Sequence, residues 1–195
     1  MARRPDLERF AEEHGIRLGT VADLIRYRME NETTVQRSAE STVTTRHGEF
    51  RLVAFEDMLD RTVHFALVHG DPDPDDPVLV RVHLQSTLGD VLGVQGEEPG
   101  WPLDSAMRRV AEEGEGIVVI LRKPEHPQDL INRVRGHAVR ATQEGGEGSR
   151  VLRTYGVGAQ ILKDLGVRRM RVLSAPIRMH GISGFGLEVV EYVDR

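Results

Sequence analysis

Apolar positions follow two spacings along this chain, and the changes between them mark out the elements. Leu7, Phe10, Ala11 and His14 recur at helical spacing, with Gly15 placed to end the helix. Thr20, with Asp23 three residues on, has the form of a capping box for a second helix carrying Leu24, Ile25 and Arg28. The next segment, ENETTVQRSAE, is polar and reads as a linker. From Ser41 the period shortens to two. Thr42 to Thr45, the turn-like His47-Gly48 and EFRLVAFE predict a hairpin. Val63 to Val68 and Val78 to His83 predict two further strands, and the prolines of the intervening GDPDPDDP forbid regular structure there.

The second half alternates. Leu103, Ala106, Met107 and Val110 predict a helix closed by Gly114, and Ile117 to Leu121 a buried strand. Leu130, Ile131, Val134 and Ala138 predict another helix, and EGGEGS, Glu144 to Ser149, a flexible break. A third helix carries Ala159, Ile161, Leu162 and Leu165 before Gly166. RMRVL and LEVVEYV then predict the last strands. The fold class expected is α/β: a strand-rich N-terminal half followed by alternating helices and strands in a mixed-sheet layered domain. No internal repeat is present.

Composition narrows the function classes. A chain of 195 residues suits one compact domain with a short appendage, and 39% apolar with 29% charged residues is ordinary for a globular protein. No run of 18 apolar residues exists, which excludes a membrane-spanning helix. MARRPDLERF lacks the apolar stretch of a secretory signal, so the location expected is cytoplasmic. A net charge of −5, without a basic run interleaved with aromatics, argues against a nucleic-acid partner. The cysteine count is 0, which removes disulfides, thiolate nucleophiles and every cysteine-based zinc site.

The residues that could carry chemistry are scattered. None of the 8 histidines pairs at the i, i+4 spacing of a helical metal site, and His64 and His69 sit on opposite faces of one strand. Asp71, Asp73, Asp75 and Asp76 mimic the start of a calcium loop, but Asp76 stands where glycine is wanted and Val82 where glutamate is wanted. They read as an exposed acidic turn. GVGAQI, Gly156 to Ile161, opens a helix without the third glycine of a dinucleotide fingerprint, so its glycines read as close-packing positions near an anion-favouring helix start. Ser86 and Thr87 lack the glycines of a nucleophile elbow and read as a polar loop. Arg81 and His83 leave one face of one strand, and their pattern fits an anion site and a solvated sheet face equally well.

Taken in order, TTRHGEFRLVAFED, FALVHGD, PVLVRVH, LGDVLG, RVAEEGEGIVV, LINRVR, YGVGAQILKDLGVRRMRVL and GFGLEVVE resemble GTP cyclohydrolase II. That family is the zinc enzyme that opens GTP at the start of riboflavin biosynthesis. The resemblance runs from about residue 33 to 195 and implies a GTP cyclohydrolase II-like fold over that range. Residues 1–32 resemble the closing segment of 3,4-dihydroxy-2-butanone 4-phosphate synthase. The pair implies a fusion protein: 1–32 as the tail of an upstream synthase domain plus the start of a linker, 33–195 as the cyclohydrolase-like domain, and Met1 as an internal methionine of the longer polypeptide.

The departures from the family pattern shape the expected function. The family's three zinc-binding cysteines fall at Ser86, Glu97 and Pro99, and neither a neutral hydroxyl nor proline replaces a thiolate on zinc. The nucleotide-contacting Glu-Gly-Arg falls at Pro124, Glu125 and His126, and the proton-accepting aspartate at Val151. Arg153 is retained at the family's phosphate-attacking position, beside the retained Arg81 and His83. Ser174-Ala175-Pro176 replaces the family's Thr-Asn-Asn-Pro. The resemblance therefore implies a domain without zinc or other cofactor and without cyclohydrolase activity. It would serve the synthase as a structural or interaction domain, with that synthase domain as its partner and the family's dimeric habit. Two alternatives stay open. One is a nucleotide- or flavin-binding regulatory domain using Arg81, His83 and Arg153 in a vestigial phosphate pocket; the other is an active hydrolase with Glu97, Glu98 or Glu125 as base.

Overall fold

The computed structural model describes residues 3–20, 23–24, 27–28, 31–94, 100–136, 147–175 and 182–195. Seven strands form one mixed sheet: β1 (Val35–Thr45), β2 (Gly48–Asp57), β3 (Val63–His69), β4 (Val78–Leu84), β5 (Gly116–Leu121), β6 (Arg169–Leu173) and β7 (Glu188–Val193). Their order across the sheet is β1-β2-β3-β5-β4-β6-β7. The first three form an antiparallel meander that joins β5 antiparallel. From β5 onward, β4, β6 and β7 run parallel to it. Among the described residues, four α-helices are delimited beside the sheet: α1 (Arg4–His14), α2 (Leu103–Glu113), α3 (Pro127–Val134) and α4 (Glu147–Asp164). None of the helices, among the described residues, is long and apolar enough to cross a membrane.

The order of the parallel strands dictates where the helices lie. The chain leaves β4 for β5 on one side of it, and leaves β5 for β6 on the other. Right-handed crossovers in opposite directions must pass over opposite faces of the sheet. Accordingly α2 buries Ala106 and Val110 against Phe50, Leu67, Leu79, Val118 and Leu173. Helix α4 buries Val157, Ala159, Ile161 and Leu162 on the other face, against Val53, Val80, Val119 and Val172. A fully buried side chain such as Ile161 contributes about 1.5–3 kcal/mol relative to exposure. The α/β layered architecture expected from the alternating second half is the one observed.

Three local expectations need correction. The polar segment read as a linker enters β1 at Val35. An edge strand exposed along most of its length has no hydrophobic alternation to display, and its register comes from β2 instead. Gln160 of α4 fixes the entry of that strand, accepting from the Thr34 N–H at 2.8 Å. The break EGGEGS ends earlier than expected, because α4 already begins at Glu147; residues 144–146 lie outside the described set. GVGAQI is consequently the middle of a helix, not its start. There Gly158 lets α4 approach β4, since a Cβ would stand 3.3 Å from Val82 Cγ1.

Other readings hold. Gly15 and Gly114 end their helices in the left-handed conformation, at φ 60° and 89°. Thr20 and Asp23 exchange capping-box bonds, the Asp23 N–H donating to Thr20 Oγ1 at 3.0 Å. His47, at the hairpin tip, meets Asp104 in the first turn of α2 at 2.7 Å. That hydrogen bond, with Arg46 nearby, holds the Asp104 carboxyl below its usual range. Helix α1 buries none of its residues.

Candidate functional site

Between β4 and β5 the connections leave toward opposite faces of the sheet. A crevice opens beyond the carboxyl ends of parallel strands at such a point, which is where α/β sheets place their ligands. Here the chain puts Gln85–Val91 after β4 and Arg122–Val134 after β5, and the two segments meet. The Gln85 N–H donates to the Leu121 carbonyl at 2.9 Å, extending the β4–β5 pairing by one step. Arg122 Nε donates to Gln85 Oε1 at 3.1 Å.

Beyond Gln85 the backbone coils into a single wide turn, Thr87–Val91, capped by Ser86. The Ser86 side chain accepts from the Gly89 N–H at 3.2 Å, as a capping hydroxyl does. The turn swings Asp90 back under the strand end. Its carboxylate stands 2.9 Å from His83 Nε2 and accepts from the Ser86 N–H at 2.9 Å. From the other segment, Arg133 on α3 donates through Nη2 to Ser86 Oγ at 2.9 Å and through Nη1 to Glu125 Oε1 at 2.8 Å. The second oxygen of Glu125 accepts from the Thr87 N–H at 3.1 Å and from the Thr87 hydroxyl. One network thus runs from His83 through Asp90 and Ser86 to Arg133, Glu125 and Thr87. Beside it lies an open apolar groove lined by Leu88, Leu130, Ile131 and Val134.

The expected site residues fall into three groups. His83 and Ser86 come together through Asp90. Arg81 shares the His83 face of β4 but turns to the Leu173 carbonyl, to which Nη1 donates at 3.0 Å. The solvated-face reading of these two fails, since Arg81 is 7% and His83 1% exposed. Val151 and Arg153 lie on α4. Glu97 and Pro99 lie outside the described residues. His64 and His69 do face opposite ways: His64 Nδ1 accepts from the Arg122 N–H and His69 Nδ1 meets the Glu49 carbonyl. The acidic run is an exposed turn, with Asp75 accepting from Arg168 at 3.2 Å.

Sequence reasoning missed Asp90 and Arg133 as members of the site. Asp90 follows His83 by seven positions, a spacing meaningless until the wide turn closes. Arg133 is a polar position on an amphipathic helix, and nothing local sets it apart from other such positions.

A zinc ion does not fit the donors present at Ser86. The hydroxyl is neutral, already accepts two hydrogen bonds, and has a guanidinium nitrogen 2.9 Å away. Two unit charges about 4 Å apart repel by about 4 kcal/mol at an effective dielectric constant near 20, and a divalent ion doubles that cost. Among the described residues no group of three or more His, Cys, Asp or Glu is placed to hold a metal.

Residues 36–194 match the GTP cyclohydrolase II family. This chain is a member of that family. It is also 46% identical over 194 residues to 3,4-dihydroxy-2-butanone 4-phosphate synthase of Pseudomonas syringae pv. tomato, covering 99% of the chain and 53% of the relative. Identity to the synthase of Pseudomonas aeruginosa is 48% over 194 residues, covering 99% and 52% respectively. Among solved structures, a two-domain 3,4-dihydroxy-2-butanone 4-phosphate synthase from A. baumannii, RibBX, superposes with a TM-score of 0.71 at 42% identity, over 100% of this chain and 50% of that one. The chain spans about half the length of the curated relatives it matches.

These matches correct two expectations. Residues 1–32 are not set apart as the tail of a fusion partner: synthases match the chain over 99% of its length, those residues included. Nor does the role of a C-terminal fusion domain serving a synthase only structurally, or of a regulatory or altered-hydrolase domain, stand against them. These relatives, matched over at least 99% of this chain, are themselves named synthases. A cyclohydrolase-like fold and the preceding helices are one continuous stretch in a synthase.

Proposed function

We propose that the protein carrying this chain is a 3,4-dihydroxy-2-butanone 4-phosphate synthase of riboflavin biosynthesis, and that its cyclohydrolase-like site does not open GTP. The observation that carries the first half is identity of 42–48% to synthases across at least 99% of the chain. Support for the second half is the donor set. Opening GTP in this family's way requires a metal-bound hydroxide and a group to take the proton. Ser86 is engaged by Arg133, and valine occupies position 151. Residues Glu97 and Pro99 complete a set with a single carboxylate and no thiolate.

Two assays on one preparation test both halves. Formation of 3,4-dihydroxy-2-butanone 4-phosphate is expected, and formate release from GTP is not, with or without added zinc. Absence of the butanone phosphate from properly folded protein overturns the synthase assignment. Formate release, or stoichiometric zinc in metal analysis of the purified protein, overturns the reading of the site.

A further inference from the structure

The polar network at the β4 and β5 exits is built around a cation, and the chain supplies that cation itself. We propose that Arg133 is the permanent cation of this site, joining the two exit segments through Ser86, which falls at the position of the family's first zinc-binding cysteine, and Glu125. The fork geometry carries the idea. One guanidinium spans the crevice, with Nη2 on Ser86 of the β4 exit and Nη1 on Glu125 of the β5 exit. Glu125 then returns to the first segment through the Thr87 N–H and hydroxyl. The clamp is therefore closed in both directions: Arg133 holds Ser86, and its counter-ion holds Thr87.

Burial gives the pair weight. The side chains of Arg133 and Glu125 are 24% and 20% exposed, far less than the surface pairs Arg4–Glu8 or Arg28–Glu32. Ser86, between the cation and the turn it caps, is 3% exposed. Planar guanidinium donors at fixed angles reach two acceptors at once, which a lysine ammonium on a flexible stem does poorly. The open groove along Leu130, Ile131 and Val134 lies beside the clamp, so the clamp also fixes the position of α3, which buries none of its own residues.

The inference concerns the architecture of the site and goes beyond the synthase reading. Its test reads folding and ion rescue instead of turnover, so the two can fail separately. In the full protein, Arg133→Gly removes the whole side chain and leaves room for a free guanidinium ion between Ser86 and Glu125. Its thermal midpoint should drop by several degrees and recover on adding low-millimolar guanidinium, but not sodium chloride of the same ionic strength. A role in mere packing gives no such selectivity. Arg133→Lys should fall between the wild type and Arg133→Gly, because a single ammonium keeps the charge but cannot reach both Ser86 and Glu125. Ser86→Ala combined with Arg133→Gly should lower the midpoint by less than the sum of the single variants. Should Arg133→Gly fail to fold, Arg133→Lys and Ser86→Ala carry the same comparison. Additive losses, or equal recovery with both salts, overturn the proposal.

Discussion

A methyl group at Gly116 shows how closely β5 is packed at the level of single residues. Its φ is 151°, and an added Cβ would stand 2.7 Å from the Leu79 carbonyl oxygen and 3.1 Å from Val110 Cγ1. Backbone cannot retreat as a side-chain tip can, so Gly116→Ala should lose about 2–4 kcal/mol in denaturant unfolding. Full stability in that variant would mean that strand and helix shift apart freely. Gln160 is a second such position. It is buried, accepts from the Thr34 N–H, and donates through Nε2 to the Glu32 carbonyl at 3.1 Å. Gln160→Leu keeps the volume but strands both groups. A loss of about 1–3 kcal/mol is expected from the same measurement.

Helix α2 and the last two strands are tied by charge where they are no longer tied by hydrophobic contact. Glu113, at the end of α2, accepts from Arg171 Nη1 at 2.7 Å and pairs with Arg109 at 2.6 Å, while Arg171 Nε reaches Glu191 at 2.8 Å. The Arg171 hydrogen bond, and Arg109 after it, hold the Glu113 carboxyl below its usual range. A carboxyl with a depressed folded pKa binds protons more readily when unfolded. Its contribution is complete above the ordinary Glu value of about 4.3 and is lost as the pH falls through the folded value. Relative to Glu113→Gln, the protein should thus be more stable by roughly 0.5–1 kcal/mol near neutral pH, with the difference shrinking in acid. A difference that is flat down to strongly acidic pH would show that these arginines do not engage the carboxylate in solution.

Across the whole molecule, one sheet serves two cores, and this predicts cooperative unfolding. Phe50, Leu79 and Val118 face α2, while their neighbours Val53, Val80 and Val119 face α4, so neither core persists without the strands that build the other. The single tryptophan, Trp101, packs on the α2 side and donates to the Val193 carbonyl at 3.0 Å. Its fluorescence should therefore report the same denaturant midpoint as far-ultraviolet circular dichroism, which reads both faces. Two separated midpoints would mean that the α2 side melts independently.

Periodicity alone was enough to determine the α/β class, the strands of the hydrophobic meander, and the helices that end at Gly15 and Gly114, because burial of one face leaves its spacing in the sequence. The same reasoning placed Arg81 and His83 on one face of β4. Only the end of edge strand β1, Thr42–Thr45, was visible; its start at Val35 was not, since a strand exposed along most of its length has little burial to record and depends on β2 for its pairing. The starting point of α4 was likewise set by packing on the sheet and not by local glycine content. At the site, Ser86 was singled out by its position, but its partners were not. Asp90 reaches it through a turn of unusual width, and Arg133 through the meeting of two strand exits distant in sequence. Hydrogen bonds across such a gap have no local signature, and tertiary structure alone decides which polar residues share one pocket.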